Sequence, residues 1–240
     1  MSAPEAPLNR VSPALMPASR SQPLPVVELV ADISCPWCYI GFRRLRALQQ
    51  RQPLRMAWRP FLLNPAMPAE GVDRRAYRLR KFGSIEASRR LDRRVVEVGA
   101  EDGIAFALER IQRTPRTVPA HMLLLQAQPR GLLEMMAERL FAAYFVQGRD
   151  IGDPRELQRE AAALGLDWAP ERDREAREAA VMASHDEACA QGVSGVPLFL
   201  FRPGLSVAGA QPPETLAAVL DLARLRQQLE AASDQGRQAS

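Results

Sequence analysis

The sequence predicts an α/β fold in which an all-helical subdomain of more than a hundred residues is inserted into one small sheet. Three patterns predict it. Residues 26–66 read strand, helix, strand; about Pro68 to Gln191 shows helical periodicity alone; residues 192–230 return to strand character and close on a helix. Outer segments in that order share a sheet only if the middle is an insertion, and the short connections on either side permit this.

Residues 1–25 mix Pro, Ser, Ala and scattered Arg without periodicity and are expected to form a disordered tail, as are residues 231–240. The first ordered element is the β-branched run Val26 to Ile33. Tyr39 to Gln50, with Leu45 and Leu48 at helical spacing, follows as a helix that Pro53 stops. Leu54 to Leu63 alternates, carries Trp58 and Phe61, and is closed by Asn64-Pro65, so it reads as the second strand. Within the insertion, 67–191, the helix Glu86 to Ala100 puts Ala87, Leu91, Val95 and Val98 on one face. Arg89, Arg90, Arg93 and Arg94 lie off that face as a solvated run. Leu132 to Val146 carries a Met and aromatic stripe, Met135 and Met136 included, of the kind that packs a core. Asp153-Pro154-Arg155-Glu156 has an N-cap aspartate, a proline at the first helical position and a glutamate at the third, and Gly165 ends that helix. A further helix runs from about Glu171 to Ala190, before Gly192. Leu198 to Phe201 and Leu205 to Ala208 flank Pro203-Gly204 as an antiparallel hairpin, and Pro213 opens the last amphipathic helix.

Apolar residues make up 47% and charged residues 25%, which excludes a disordered chain and allows a core that needs no crosslinks. The net charge of +4 is a mild excess that does not call for nucleic acid. Nearly all the positive charge is arginine, with Lys81 the only lysine. Three cysteines cannot build a disulfide framework and fit a reducing compartment. The N-terminal stretch holds no signal-peptide apolar segment, and no run of about eighteen apolar residues occurs, so a soluble cytoplasmic protein without membrane contact is expected.

Cys35-Pro36-Trp37-Cys38 lies between a predicted strand and a predicted helix, the setting in which a Cys-x-x-Cys pair reads as redox chemistry. At the helix start, unpaired N–H groups and the helix dipole favour the thiolate of Cys35, which marks it as the nucleophile. Cys38, three residues on, is placed to resolve a mixed disulfide. The plainer readings are a reduced pair in the core or half of a zinc site. Beyond the pair the chain offers only Cys189, His121 and His185, scattered through the helical block without ligand spacing, so no metal is expected.

Ile33-Ser34-Cys35-Pro36-Trp37-Cys38-Tyr39-Ile40-Gly41, Gly192-Val193-Ser194-Gly195-Val196-Pro197-Leu198-Phe199 and Val207-Ala208-Gly209-Ala210-Gln211 together resemble the DsbA-like oxidoreductases of the FrnE type. These are related to the 2-hydroxychromene-2-carboxylate isomerases and the kappa-class glutathione transferases. The resemblance spans about Val26 to Ala223 and implies a thioredoxin-like fold with a helical insertion. It also implies a cis Val196-Pro197 peptide facing the cysteines, with Val196 pairing its backbone to an extended substrate and Pro36 and Trp37 contributing to the binding surface. Two departures stand out. The related transferases and isomerases carry serine where Cys35 stands, which favours disulfide exchange here; and Arg116 replaces the asparagine of the relatives' Arg-x-Pro-Asn-Thr, which puts any contact made there in doubt.

The function expected is thiol–disulfide exchange through Cys35 and Cys38, with no cofactor, disulfide or thiol substrates that are proteins or glutathione, and a homodimer permitted. The rival enzyme is a glutathione-dependent transferase or isomerase; the rival without chemistry is a partner-binding module built on the insertion. Asp32 reads equally as a proton-orienting group and as a plain strand-end carboxylate, Cys189 as a small buried hydrophobe, and His121 and His185 as structural or surface residues.

Overall fold

The computed structural model describes residues 24–238, so the expected tail over residues 1–23 lies outside the described residues. Strand β1, Val26–Ala31, is the centre of the sheet. Its residues Val27, Leu29, Val30 and Ala31 are all fully buried, as a strand covered on both faces requires. Pro36 at the first helical position starts α1, Pro36–Arg51, whose buried Cys38, Phe42, Leu45 and Leu48 recur every three or four residues against the sheet. Strand β2, Arg55–Pro60, returns parallel to β1 with Leu29 opposite Trp58.

The insertion then begins. Strand β3, Val72–Asp73, leads into α2, Arg74–Phe82, and α3, Ile85–Glu101; strand β4, Arg113–Thr114, pairs antiparallel with β3. This two-rung ladder departs from the helices-only expectation for the segment: two residues are too few to show any alternation in a sequence. Helices α4, Val118–Ala127, α5, Leu133–Phe145, α6, Pro154–Ala162, and α7, Arg174–Ala190, complete the insertion. Asp153 caps α6 by accepting a hydrogen bond from the Arg155 N–H at 2.8 Å.

Strands β5, Leu198–Phe201, and β6, Leu205–Ala208, form the hairpin, and β5 joins β1 antiparallel with Leu198 opposite Val30. The sheet order is β2-β1-β5-β6, a thioredoxin-like mixed sheet whose two halves meet at β1 although more than a hundred residues separate them in the chain. Helix α8 runs from Pro213 to Gln238. It continues through residues 231–238, where a tail is expected from the sequence; the segment contains no proline to end an established helix.

One apolar core runs from the sheet into the insertion. Tyr39 of α1 stacks on Phe141 of α5 with ring centroids 4.8 Å apart, and Trp58 of β2 meets the same phenylalanine edge-on at 6.1 Å. Two expected core positions are not buried: Leu91 and Met135 are 48% and 47% exposed, because their helices turn those positions outward.

Candidate active site

Cys35 is the N-cap of α1, with extended backbone angles (φ −93°, ψ 116°) and no side-chain cap. Its carbonyl accepts the N–H of Cys38 at 3.0 Å and of Tyr39 at 3.2 Å, so the first turn of the helix fixes the two cysteines one turn apart. Both are free thiols. Cys35 is 5% exposed and opens onto a cavity, whereas Cys38 is fully buried beneath it. Burial, then the neighbouring Cys35, push the Cys38 thiol well above its ordinary range, and the Asp32 charge adds to this. Cys38 is therefore protonated at neutral pH.

Facing Cys35 is the loop before β5. The Val196–Pro197 peptide is cis, and the Val196 carbonyl oxygen lies 3.8 Å from Cys35 Sγ. The Pro197 carbonyl is taken by the Gly209 N–H at 2.8 Å, while no backbone hydrogen bond involves Val196 among the described residues. Gly41 of α1 lets this loop approach: a Cβ there would lie 3.0 Å from Phe199 Cζ and 3.1 Å from Pro197 Cγ, tighter than ordinary contact.

Asp32 lies below the cysteines, almost wholly buried. Its carboxylate accepts the Ser34 N–H at 2.9 Å, the Ser34 hydroxyl at 3.0 Å and the Leu63 N–H at 2.7 Å. His121 of α4 stands behind it. The Trp58 indole can only donate, and its N–H reaches His121 Nδ1 at 3.0 Å, which leaves Nε2 as the ring nitrogen turned to Asp32, 3.7 Å from Oδ1. Burial alone would raise the Asp32 carboxyl; the His121 edge and the two backbone N–H groups outweigh it and hold Asp32 below the usual carboxylate range. Asp32 is thus more than a strand-end carboxylate: it ties the active-site turn, the exit of β2 and the insertion together.

The cavity over Cys35 has a volume of about 260 Å³. Pro36 and Trp37 line it from α1, Leu63 and Asn64 from the exit of β2, and Arg74, Tyr77, Arg78, Lys81 and Phe82 from α2. Val196 and Pro197 line a separate groove that runs from Gln191 to Leu198. The structure thus places Cys35, Pro36 and Trp37 on the cavity and Cys38 beneath it, and brings Val196 to Cys35 from the neighbouring groove. Sequence reasoning did not find the α2 wall. Its only visible signal is that the single lysine of the chain, Lys81, belongs to it.

The remaining residues lie elsewhere. Arg116 turns to α7 and pairs with Glu178 at 2.9 Å, away from the cavity. Cys189 is exposed rather than buried, because α7 leaves that face uncovered, and its sulfur sits 3.7 Å from His185 Nε2. His185 is buried, accepts the Leu62 N–H at 3.3 Å and packs edge-on against Phe61. Among the described residues no group of three or more His, Cys, Asp or Glu is arranged to hold a metal ion.

A dithiol at the head of a helix, opposed by a cis-proline loop on a mixed sheet, defines a thioredoxin-fold protein. The chain belongs to the DSBA-like thioredoxin domain family, whose model matches residues 26–221. It is 30% identical to a probable DsbA oxidoreductase from Streptomyces coelicolor (TM-score 0.72, covering 83% of this chain and 89% of that one). It also resembles the cytosolic disulfide reductase DsbM from Pseudomonas aeruginosa, whose structure contains GSH (21% identity, TM-score 0.60, 84% and 99% covered). A 2-hydroxychromene-2-carboxylate isomerase shares the fold at 16% identity (TM-score 0.57, 86% and 98% covered). No curated protein matches the chain. No helix among the described residues is long and apolar enough to cross a membrane.

Proposed function

We propose that this protein is a cytoplasmic thiol–disulfide oxidoreductase of the FrnE type, with Cys35 as nucleophile and Cys38 as resolving thiol. The observation that carries this reading is the asymmetry of the pair: Cys35 opens onto the cavity and the Val196 carbonyl, while Cys38 is buried and protonated one turn behind it. In the reductive direction the Cys35 thiolate attacks one sulfur of a substrate disulfide, the S–S bond breaks, and the other substrate half leaves as a thiolate. Cys38 then gives up its proton, its sulfur attacks the Cys35 sulfur of the mixed disulfide, and the second substrate thiol departs. Two electrons pass to the substrate, and the protein is left with a Cys35–Cys38 disulfide. The oxidative direction is the reverse.

The backbone of Val196, which makes no main-chain hydrogen bond among the described residues, suits an extended substrate segment whose N–H and C=O groups it can pair. Glutathione is proposed as a co-substrate that returns the pair to its starting state; no bound cofactor is needed for exchange. Replacing Cys38 by serine tests the assignment. With a disulfide substrate, Cys38→Ser is expected to accumulate a covalent adduct on Cys35, seen by mass spectrometry, and to lose multiple turnover. Normal turnover of a glutathione-dependent transfer or isomerisation by Cys38→Ser would establish the rival reading instead.

A further inference from the structure

We propose that the cavity over Cys35 selects a small disulfide bearing an anionic group on an apolar body, with Arg74 and Lys81 as the residues that hold the anion. This rests on the exchange reaction proposed above and names the class of molecule that reaches Cys35 from the α2 side.

The cavity is charged in one sense. Arg74, Arg78 and Lys81 line it against the single carboxylate of Asp92, three positive charges against one negative, a surplus of two. Asp92 is already engaged, 2.7 Å from the Arg78 guanidinium, which also bonds the Ser88 carbonyl at 2.9 Å. Arg74 and Lys81 have only neutral partners among the described residues: Arg74 donates to the Tyr144 hydroxyl at 3.3 Å and Lys81 to the Tyr77 hydroxyl at 2.9 Å. Phenolic oxygens orient these cations without neutralising them. Burial and then the charge of Arg74 pull the Arg78 guanidinium below its ordinary range, as crowding of like charges in a half-closed space should. An anion entering the cavity would relieve that crowding.

Apolar side chains share the lining, Trp37, Phe82, Leu91, Val95 and Phe145 among them, beside polar Ser34, Asn64 and Thr114. Leu91, which leaves almost half its surface open, is among the lining residues, and an apolar ligand in the cavity would cover part of it. A volume of about 260 Å³ suits a small molecule. The groove of Val196 and the cavity over Cys35 share no lining residue, so a ligand read by charge and apolar contact can enter the cavity without occupying that groove. The step is an ordinary exchange: the ligand's S–S bond breaks, a Cys35–sulfur bond forms, and the released half departs with the electron pair before Cys38 resolves the adduct.

Two aromatic probes separate charge from reach: dithiobis(nitrobenzoate), which carries a carboxylate on each half, and dithiodipyridine, which is uncharged. Second-order rate constants would be measured with the reduced protein and with Arg74→Gln, Lys81→Met and Lys81→Arg. α2 buries no residue, so these variants are expected to fold. Each charge-removing variant should react about tenfold more slowly with the carboxylated probe and within about twofold of the parent with the uncharged one. Lys81→Arg should keep the parent rates. Equal losses with both probes, or no loss with either, would overturn the proposal while leaving the exchange reading intact. Failure of the parent protein to react at Cys35 with either probe would overturn the exchange reading itself.

Discussion

At the scale of single residues, Asp32 is the side chain whose role depends most on its surroundings. Asparagine would keep its size but present an amide N–H to donors that need an acceptor, so Asp32→Asn should cost about 1–3 kcal/mol at neutral pH, read as a lower urea midpoint. The Asp32 carboxyl is depressed in the folded state, so its contribution is complete above its unfolded value of 3.8 and disappears as pH falls through the folded one. The gap between parent and variant should accordingly narrow in acid; a gap independent of pH would show that the charge is not what matters. Cys38 gives a second residue-scale expectation. With its thiol pushed well above 9.0 by burial and by Cys35, iodoacetamide at about that pH should label Cys35 and the exposed Cys189 before Cys38. Cys35 and Cys38 are legible in the sequence because they stand three residues apart between strand and helix signals, whereas Val196 and Pro197 come only through the family resemblance. Arg74 and Lys81 are not legible, since their approach to Cys35 is made by the fold and neither has a local signature. Leu91 misleads for a related reason: periodicity shows which face is apolar but not whether that face meets a core or a cavity.

Among the elements, α2 is the least anchored part of the site. It buries no residue and lies between Gly71 and Gly83, both in the left-handed region at φ 67° and 78°. Its hold on the body is polar: Tyr77 donates to Asn64 at 2.9 Å, and Arg78 reaches Ser88 and Asp92 of α3. Arg78→Met should therefore raise amide exchange across residues 74–82 and leave the thermal midpoint within a few degrees of the parent, since few apolar contacts depend on it. Unchanged exchange in that segment would mean that the Arg78 contacts do not hold the helix. Elements with strong local signals were readable in advance: the Asp153 cap of α6 and the turn between β5 and β6 each have a mechanism within a few residues. The β3–β4 ladder and the far end of α8 were not. The first is too short to have a period, and the second continues because nothing stops it.

Across the whole molecule, the sheet and the insertion are joined at β2 and its exit. The Trp58 indole donates to His121 of α4 at 3.0 Å and the Trp58 N–H to Gln128 at 2.6 Å; Leu62 donates to His185 and Ser184 to the Pro60 carbonyl, both on α7. Apolar packing crosses the same seam through Tyr39, Trp58 and Phe141. None of this was visible in a sequence where residues 26–66, 67–191 and 192–230 read as separable blocks, because each contact pairs positions about sixty or more residues apart and hydrophobic periodicity carries no information on partners. A core shared in this way should unfold in one step, with tryptophan fluorescence and far-ultraviolet circular dichroism falling together. His121→Ala is the decisive perturbation. It leaves the Trp58 indole N–H without its acceptor and opens a void beside Asp32, and the two effects together should cost about 2–4 kcal/mol. Because His121 sits on the insertion and Trp58 on the sheet, the loss should lower both signals' midpoints equally. If the helical signal instead melted apart from the tryptophan signal, the insertion would be an independent folding unit and the seam at β2 would not couple it to the sheet.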